Sequence, residues 1–246
     1  GSATTVERRT VLQWLGNATV LALGGDLLSG CVSRSRSGLG GPDAGDASGE
    51  AGEEDFPFQP GDGQDAVFTG WYENTVDTQN LESILSHWQL TVDGMVGKPL
   101  VLTFADVLAL PRQDQLTDFH CVEGWSVYDV PWNGASLSHM LDLAAPTTQA
   151  THITFHSIGG DYSESLPLDV AREPKTLLGY GVGGSTLPLA HGFPLRLVVP
   201  RLLGYKSAKY LERLELTDHA VDGYWEGYGY GYDGAVAPAR LRPGKY

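Results

Sequence analysis

The chain has 246 residues, with 30 acidic against 16 basic side chains and a formal net charge of -14 at pH 7. That balance excludes a surface built for nucleic acid or anionic lipid, since either needs clustered Lys and Arg to displace counterions. The length suffices for one sizeable core once the N-terminal segments are set aside.

Residues 1–31 read as an export address. Glu7-Arg8-Arg9-Thr10-Val11-Leu12-Gln13 resembles a twin-arginine signal. The apolar run from Trp14 to Leu28 is too short, and too interrupted by Gly24, Gly25 and Asp26, to span a bilayer. Leu28-Ser29-Gly30-Cys31 resembles a lipobox, which would make Cys31 a lipidated residue that anchors the mature protein to the periplasmic or extracytoplasmic face of a membrane. The bland alternative is an amphipathic first helix. Residues 32–63 are rich in Ser, Gly, Asp and Glu and too poor in apolar side chains to offset their ordering entropy, which predicts a flexible acidic tether.

A catalytic domain is expected over residues 64–246. Leu90 to Leu102 alternates apolar residues about an Asp93-Gly94 turn and predicts a hairpin. Thr103 to Leu110 carries an N-cap and helical spacing closed by Pro111, and Ser136 to Ala144 predicts a second short helix. Thr151 to Ser157 alternates as a half-buried strand. On it His152 and His156 would stand about 13 Å apart at ~3.3 Å per residue, too far to share a metal ion. A helical turn is expected at Leu166 to Ala171, strands at Thr176 to Tyr180, Leu195 to Val199 and Tyr210 to Leu216, and a closing loop at Glu226 to Gly234. Short strands between turns, with few short helices, predict a mixed α+β fold rather than a parallel doubly wound one.

The chemistry is expected at Asp118-Phe119-His120-Cys121-Val122-Glu123-Gly124-Trp125-Ser126, which holds the domain's only cysteine. Trp125, Tyr128 and Trp132, punctuated by Pro131 and Gly134, read as a loop of aromatic rings around the thiol. From the residues alone, Cys121 is a metal ligand, a nucleophile or an inert buried side chain. If the segment is extended, His120 points to the opposite side and does not serve Cys121 as a base. Arg196 lies inside an apolar strand, where a guanidinium wants an anionic or multiply accepting partner.

The run from His120 to Ser126 resembles the segment that supplies the cysteine ligand in the sulfite-oxidase superfamily of molybdopterin-dependent oxidoreductases. Within it, the run is similar to the catalytic subunits of periplasmic methionine-sulfoxide reductases. His191 to Pro200 and Gly204 to Lys209 match further motifs in the same order, and the resemblance covers about Val67 to Tyr232. It implies a fold of mixed β-sheets around a molybdenum-molybdopterin cofactor, with Cys121 as catalytic metal ligand. It also implies cofactor contacts from Tyr72, Glu73, Ser157, His191, Arg196 and the phosphate-contacting turn Ser207, Ala208 and Lys209. Thr69 replaces the family's asparagine, His191 stands where close relatives carry asparagine, and Ser157 replaces a threonine but keeps the hydroxyl. With Cys31 lipidated and Cys121 on the metal, no pair remains for a disulfide.

The activity implied is oxygen-atom transfer that reduces S- or N-oxides such as methionine sulfoxide, either as small molecules or bound in a protein. Glu123 and Trp125, with Tyr128 and Trp132, suit a neutral, partly apolar substrate better than a dianion. Arg201 and Arg172 are the arginines whose entry into the pocket would change that. The alternatives are a sulfite dehydrogenase, or a lipid-anchored binding protein without cofactor. No Cys-x-x-Cys-His run is present, so the electrons are expected to pass through a separate redox partner, a membrane haem protein or a soluble cytochrome.

Overall fold

The computed structural model describes Phe68, Trp71 and residues 87–246. The expected address, tether and Tyr72–Glu73 pair lie outside the described residues. Among those described, no helix is long and apolar enough to cross a membrane.

The expected hairpin forms from β1 (Gln89–Gly94) and β2 (Leu100–Thr103), which pair antiparallel. Helix α1 (Phe104–Ala109) follows. The Thr103 side chain accepts from the Asp106 N–H at 3.2 Å while Asp106 accepts from the Thr103 N–H at 2.8 Å, a reciprocal cap that fixes the helix start. The first sheet runs in the order β2-β1-β10-β5-β6, completed by β5 (His152–Ser157), β6 (Ser163–Pro167) and β10 (Leu211–Thr217). β1 pairs parallel with β10, and the other neighbours pair antiparallel.

The second sheet holds β3 (Arg112–His120), β4 (Ser126–Ser136), β7 (Leu177–Val182) and β8 (Ser185–Thr186) in that order, with β9 (Arg196–Val198) also paired to β7. Helix α2 (Leu137–Ala144) buries Leu137, Met140, Leu141 and Ala144, the i, i+3, i+4, i+7 stripe that faces a core. Its Ser136 cap accepts the His139 N–H at 3.3 Å. Helix α3 (Leu168–Ala171) is the expected single turn. The main core gathers the inner faces of β1, β5 and β10 with α2, and a smaller one lies under β4 and β7 around Trp132 and Trp71.

One expectation is overturned. Residues 125–134 are not a loop of rings: most of them form the eleven-residue strand β4. Trp132 (1 % exposed) is buried in the smaller core while Tyr128 (58 % exposed) turns to solvent, although a regular strand would put positions four apart on one face: between them the register with β3 shifts, where Asp129 takes φ +57°. Of the three rings, only Trp125 reaches the site. Pro131 and Gly134 read as loop punctuation, yet each fits the strand. The Pro131 carbonyl accepts from the Gly183 N–H at 2.8 Å. Gly134 lies where β4 meets β7, and a Cβ there would come within 2.3 Å of the Leu178 carbonyl oxygen. Gly134→Ala should therefore overpack the junction by about 1–3 kcal/mol and lower the thermal midpoint by roughly 2–10 °C. An unchanged melting curve would contradict that close approach.

Candidate functional site

The β3–β4 hairpin places Cys121. Its last pair is His120↔Ser126, and the connection closes with the Cys121 N–H donating to the Trp125 carbonyl at 2.9 Å and the Gly124 N–H to the Cys121 carbonyl at 3.2 Å. Gly124 has φ +100°, a conformation that favours glycine and sharpens the turn. The Cys121 thiol lies 3.6 Å from Glu123 Oε2, which also accepts the Trp125 indole N–H at 3.0 Å. Burial, and then the Glu123 carboxylate, pushes the Cys121 thiol above its ordinary range. A free thiol there is a poor nucleophile at neutral pH, whereas a cation would favour its deprotonation.

His120 faces away from the pocket, as expected of an extended segment. It is buried, and its Nδ1 lies 2.8 Å from Ser126 Oγ. Burial and the Arg240 guanidinium lower its pKa. Arg201 pairs with Glu173 and Arg172 with Asp142, so neither arginine lines the pocket.

One pocket collects Cys121, Ser157, His191, Arg196, Ser207, Ala208 and Lys209, all the expected site residues that are described, apart from Cys31, Tyr72 and Glu73 which are not. Its floor is cationic. Arg196 is 3 % exposed, donates from Nη1 to the His191 carbonyl at 2.9 Å and from Nη2 to the Ser207 carbonyl at 3.3 Å, and lies 5.2–5.9 Å from the rings of Trp132, Phe119 and Trp71. No carboxylate among the described residues pairs with it. Burial lowers its pKa to about 10, which leaves it charged at neutral pH.

Lys209 stands beside Arg196. Gly192, at φ +109°, allows this: a Cβ there would meet the Cβ atoms of both residues at 3.1 Å. His191 is held neutral, with its pKa lowered to about 3 by burial and then by Arg196 and Lys209, and it stacks on Phe68 at 3.8 Å. Ser157 Oγ donates to the Lys209 carbonyl at 2.6 Å, and Ser207 Oγ accepts the Val199 N–H at 3.3 Å. The two hydroxyls thus hold the backbone of the cationic wall.

This arrangement fits a phosphate-bearing molybdopterin. Buried Arg196 and half-buried Lys209 share one wall, where an anion would offset their mutual repulsion. At the other end a single thiol offers a soft ligand. Among the described residues no group of three or more His, Cys, Asp or Glu side chains could hold a metal ion, so a metal at Cys121 would take its further donors from a bound ligand.

The sequence reading missed what closes the pocket. Trp225 and Tyr230 line it, 5.2 Å apart, the second from the segment expected to be a closing loop and the first from the residue just before it. That segment is pinned by a buried triad. Lys206 Nζ bonds Glu164 Oε1 and, at 2.8 Å, Glu226 Oε1, with all three side chains at most 3 % exposed. The second oxygens of both carboxylates are buried without a hydrogen-bond partner. The partners lie 42 and 20 residues from Lys206, a separation that no local pattern signals.

Comparison with known proteins follows the same lines. The model of the oxidoreductase molybdopterin binding domain family matches residues 76–225. The oxidoreductase YuiH of Bacillus subtilis is 38% identical over 146 residues, 59% of this chain and 73% of its own length. The protein-methionine-sulfoxide reductase catalytic subunit MsrP of Campylobacter jejuni is 31% identical over 200 residues, 72% of this chain and 67% of its own. MsrP of Gluconobacter oxydans is 37% identical over 155 residues, 56% of this chain and 49% of its own. The sulfane dehydrogenase SoxCD of Paracoccus pantotrophus superposes with a TM-score of 0.51 at 24% identity, covering 61% of this chain and 41% of that one, a likeness of fold.

The triad carries one excess negative charge when fully ionised, and burial lifts Glu164 from its ordinary 4.5 to about 7 against the pull of Lys206. A carboxyl whose folded pKa exceeds its unfolded one adds stability that is complete below the unfolded value and lost as pH rises through the folded one. The advantage of wild type over Glu164→Gln should therefore decline between pH 4.5 and about 7. Thermal midpoints measured across that interval check it, and a difference independent of pH would contradict it.

Proposed function

The chain belongs to the oxidoreductase molybdopterin binding domain family, and from that premise we propose that it reduces sulfoxides, methionine sulfoxide first among them, by oxygen-atom transfer to a molybdenum centre that Cys121 would ligate. It is an oxidoreductase of the sulfite-oxidase-type fold that uses molybdenum-molybdopterin. The observation that carries the reading is the joining, in one pocket, of a single thiol with buried Arg196 and half-buried Lys209. The cofactor, when bound, accepts the oxygen atom and exchanges two electrons.

The roles of the side chains follow from their chemistry. Cys121 supplies the soft protein ligand. Arg196 and Lys209, with Ser207 and Ala208 beside them, would hold the anionic end of the pterin, and neutral His191 would face its heterocycle without adding charge. Tyr72 and Glu73 are assigned to the same cofactor from the sequence resemblance. Ser157 acts through the Lys209 carbonyl and positions that lysine.

Substrate preference is set at the mouth. Glu123 and Asp161 line the pocket with Trp125, Trp225 and Tyr230, which disfavours a dianion and suits a neutral, partly apolar oxide. The methionine-sulfoxide reductases at 31% and 37% identity support that direction of reaction. Reduction of a sulfoxide to a thioether consumes two electrons and two protons and releases water. The electrons come from a separate redox partner, a membrane haem protein or soluble cytochrome, on the extracytoplasmic face where the twin-arginine and lipobox-like runs direct the chain.

Steady-state assays should give turnover of free or protein-bound methionine sulfoxide with a reduced dye, and little or none of sulfite with an acceptor dye. Cys121→Ser should fall to background, and Arg196→Ala and Lys209→Ala should lose cofactor. Efficient sulfite oxidation with inert sulfoxides would establish the rival reading, and full activity in Cys121→Ser would remove that thiol from the chemistry. Intact mass of the membrane fraction should show lipid on Cys31; an unmodified product cut elsewhere would contradict the anchor.

A further inference from the structure

The last nine residues grip the cysteine hairpin twice, although they lie beyond the residues 76–225 that carry the family match. In the first grip, Arg240 donates from Nη1 and Nη2 to the Cys121 carbonyl, each at 3.2 Å, and from Nη2 to the Trp125 carbonyl at 2.9 Å and Ser126 Oγ at 3.0 Å. In the second, Arg242 bonds both oxygens of Asp118, through Nε at 2.6 Å to Oδ2, and reaches Asp129 at 3.0 Å, while the Asp118 N–H donates to the Lys245 carbonyl at 3.3 Å. Arg242 therefore fastens the tail to the strands, and Arg240 addresses the loop.

The loop needs such a contact. Val122, Glu123 and Gly124 are exposed, and two backbone hydrogen bonds hold the turn from Cys121 to Trp125. Arg240 ties the carbonyls at its two ends to one rigid cation. A planar guanidinium presents its donors in a fixed fork, and charged hydrogen bonds are about twice as strong as neutral ones; an ammonium on a flexible stem cannot span the same acceptors in a fixed geometry. Ser126 Oγ, which accepts from Arg240, also lies 2.8 Å from Nδ1 of His120, and this ties the base of the loop to a buried ring.

We propose that Arg240 is a positioning residue for Cys121: by clamping both ends of the turn it fixes where the sulfur stands relative to the metal. The link to the metal rests on Cys121 being the ligand, but the clamp itself does not. In the holoenzyme, Arg240→Ala should speed amide exchange of Cys121–Ser126 by about ten-fold or more, with β5 and β10 unchanged, and should shift or broaden the molybdenum(V) resonance at unaltered pterin content. Arg240→Lys keeps the charge without the fork, so it should give an intermediate effect even if the alanine variant fails to load. Millimolar ethylguanidinium, and not ethylammonium, should restore slow exchange to Arg240→Ala. Exchange equal to wild type in both variants overturns the clamp, and faster exchange with an unaltered resonance overturns its link to the metal. An unaltered resonance in Cys121→Ser overturns the ligand assignment instead, so the two failures are read from different variants.

Discussion

A guanidinium shut away from water, with carbonyls, aromatic faces and a neutral histidine around it, is costly unless something anionic joins it. Arg196 is in that position, and Lys209 beside it adds a second charge. Much of the local architecture serves to hold this unfavourable wall in place. β9 presents Arg196 from its pairing with β7, Gly192 lets Lys209 approach, and Ser157 and Ser207 fix the intervening backbone. His191 stays uncharged in the same field. A phosphate against Arg196 and Lys209 would offset their charge.

The opposite side of the pocket depends on contacts distant in sequence. The buried Lys206–Glu164–Glu226 triad fastens the aromatic segment that bears Trp225 and Tyr230, and Arg240 fastens the turn that bears Cys121. A cofactor-binding wall, a substrate mouth and a thiol loop are thus held by three separate sets of charged hydrogen bonds. Such bonds are directional and so specify a geometry, and in the triad removal of Lys206 would leave two buried carboxylates uncompensated.

Elements whose signals are local were legible in the sequence. The Thr103–Asp106 cap, the Ser136 cap with its apolar stripe, and the alternation of β5 and β10 each follow from a few neighbouring residues. The cysteine motif and the Gly204–Lys209 turn were legible through resemblance, and the fold brings them to one pocket. What failed was β4, because Pro131 and Gly134 imitate loop punctuation when the neighbouring strand that requires the glycine is invisible. The triad and the Arg240 clamp were illegible for a related reason: their partners are 20 to 119 residues apart, and an isolated Lys or Arg reads as surface. Trp132 and Tyr128, four residues apart, face opposite ways only because β4 is irregular at Asp129, which no local pattern signals.

The central claim is that Cys121 and an anionic pterin meet in this pocket on one metal ion. X-ray absorption at the molybdenum edge of the purified holoprotein tests it most directly, because it counts sulfur neighbours. The expected result is three sulfurs in the wild type, two from the cofactor's dithiolene and one from Cys121, and two in Cys121→Ser. An equal sulfur count in both proteins would contradict the account.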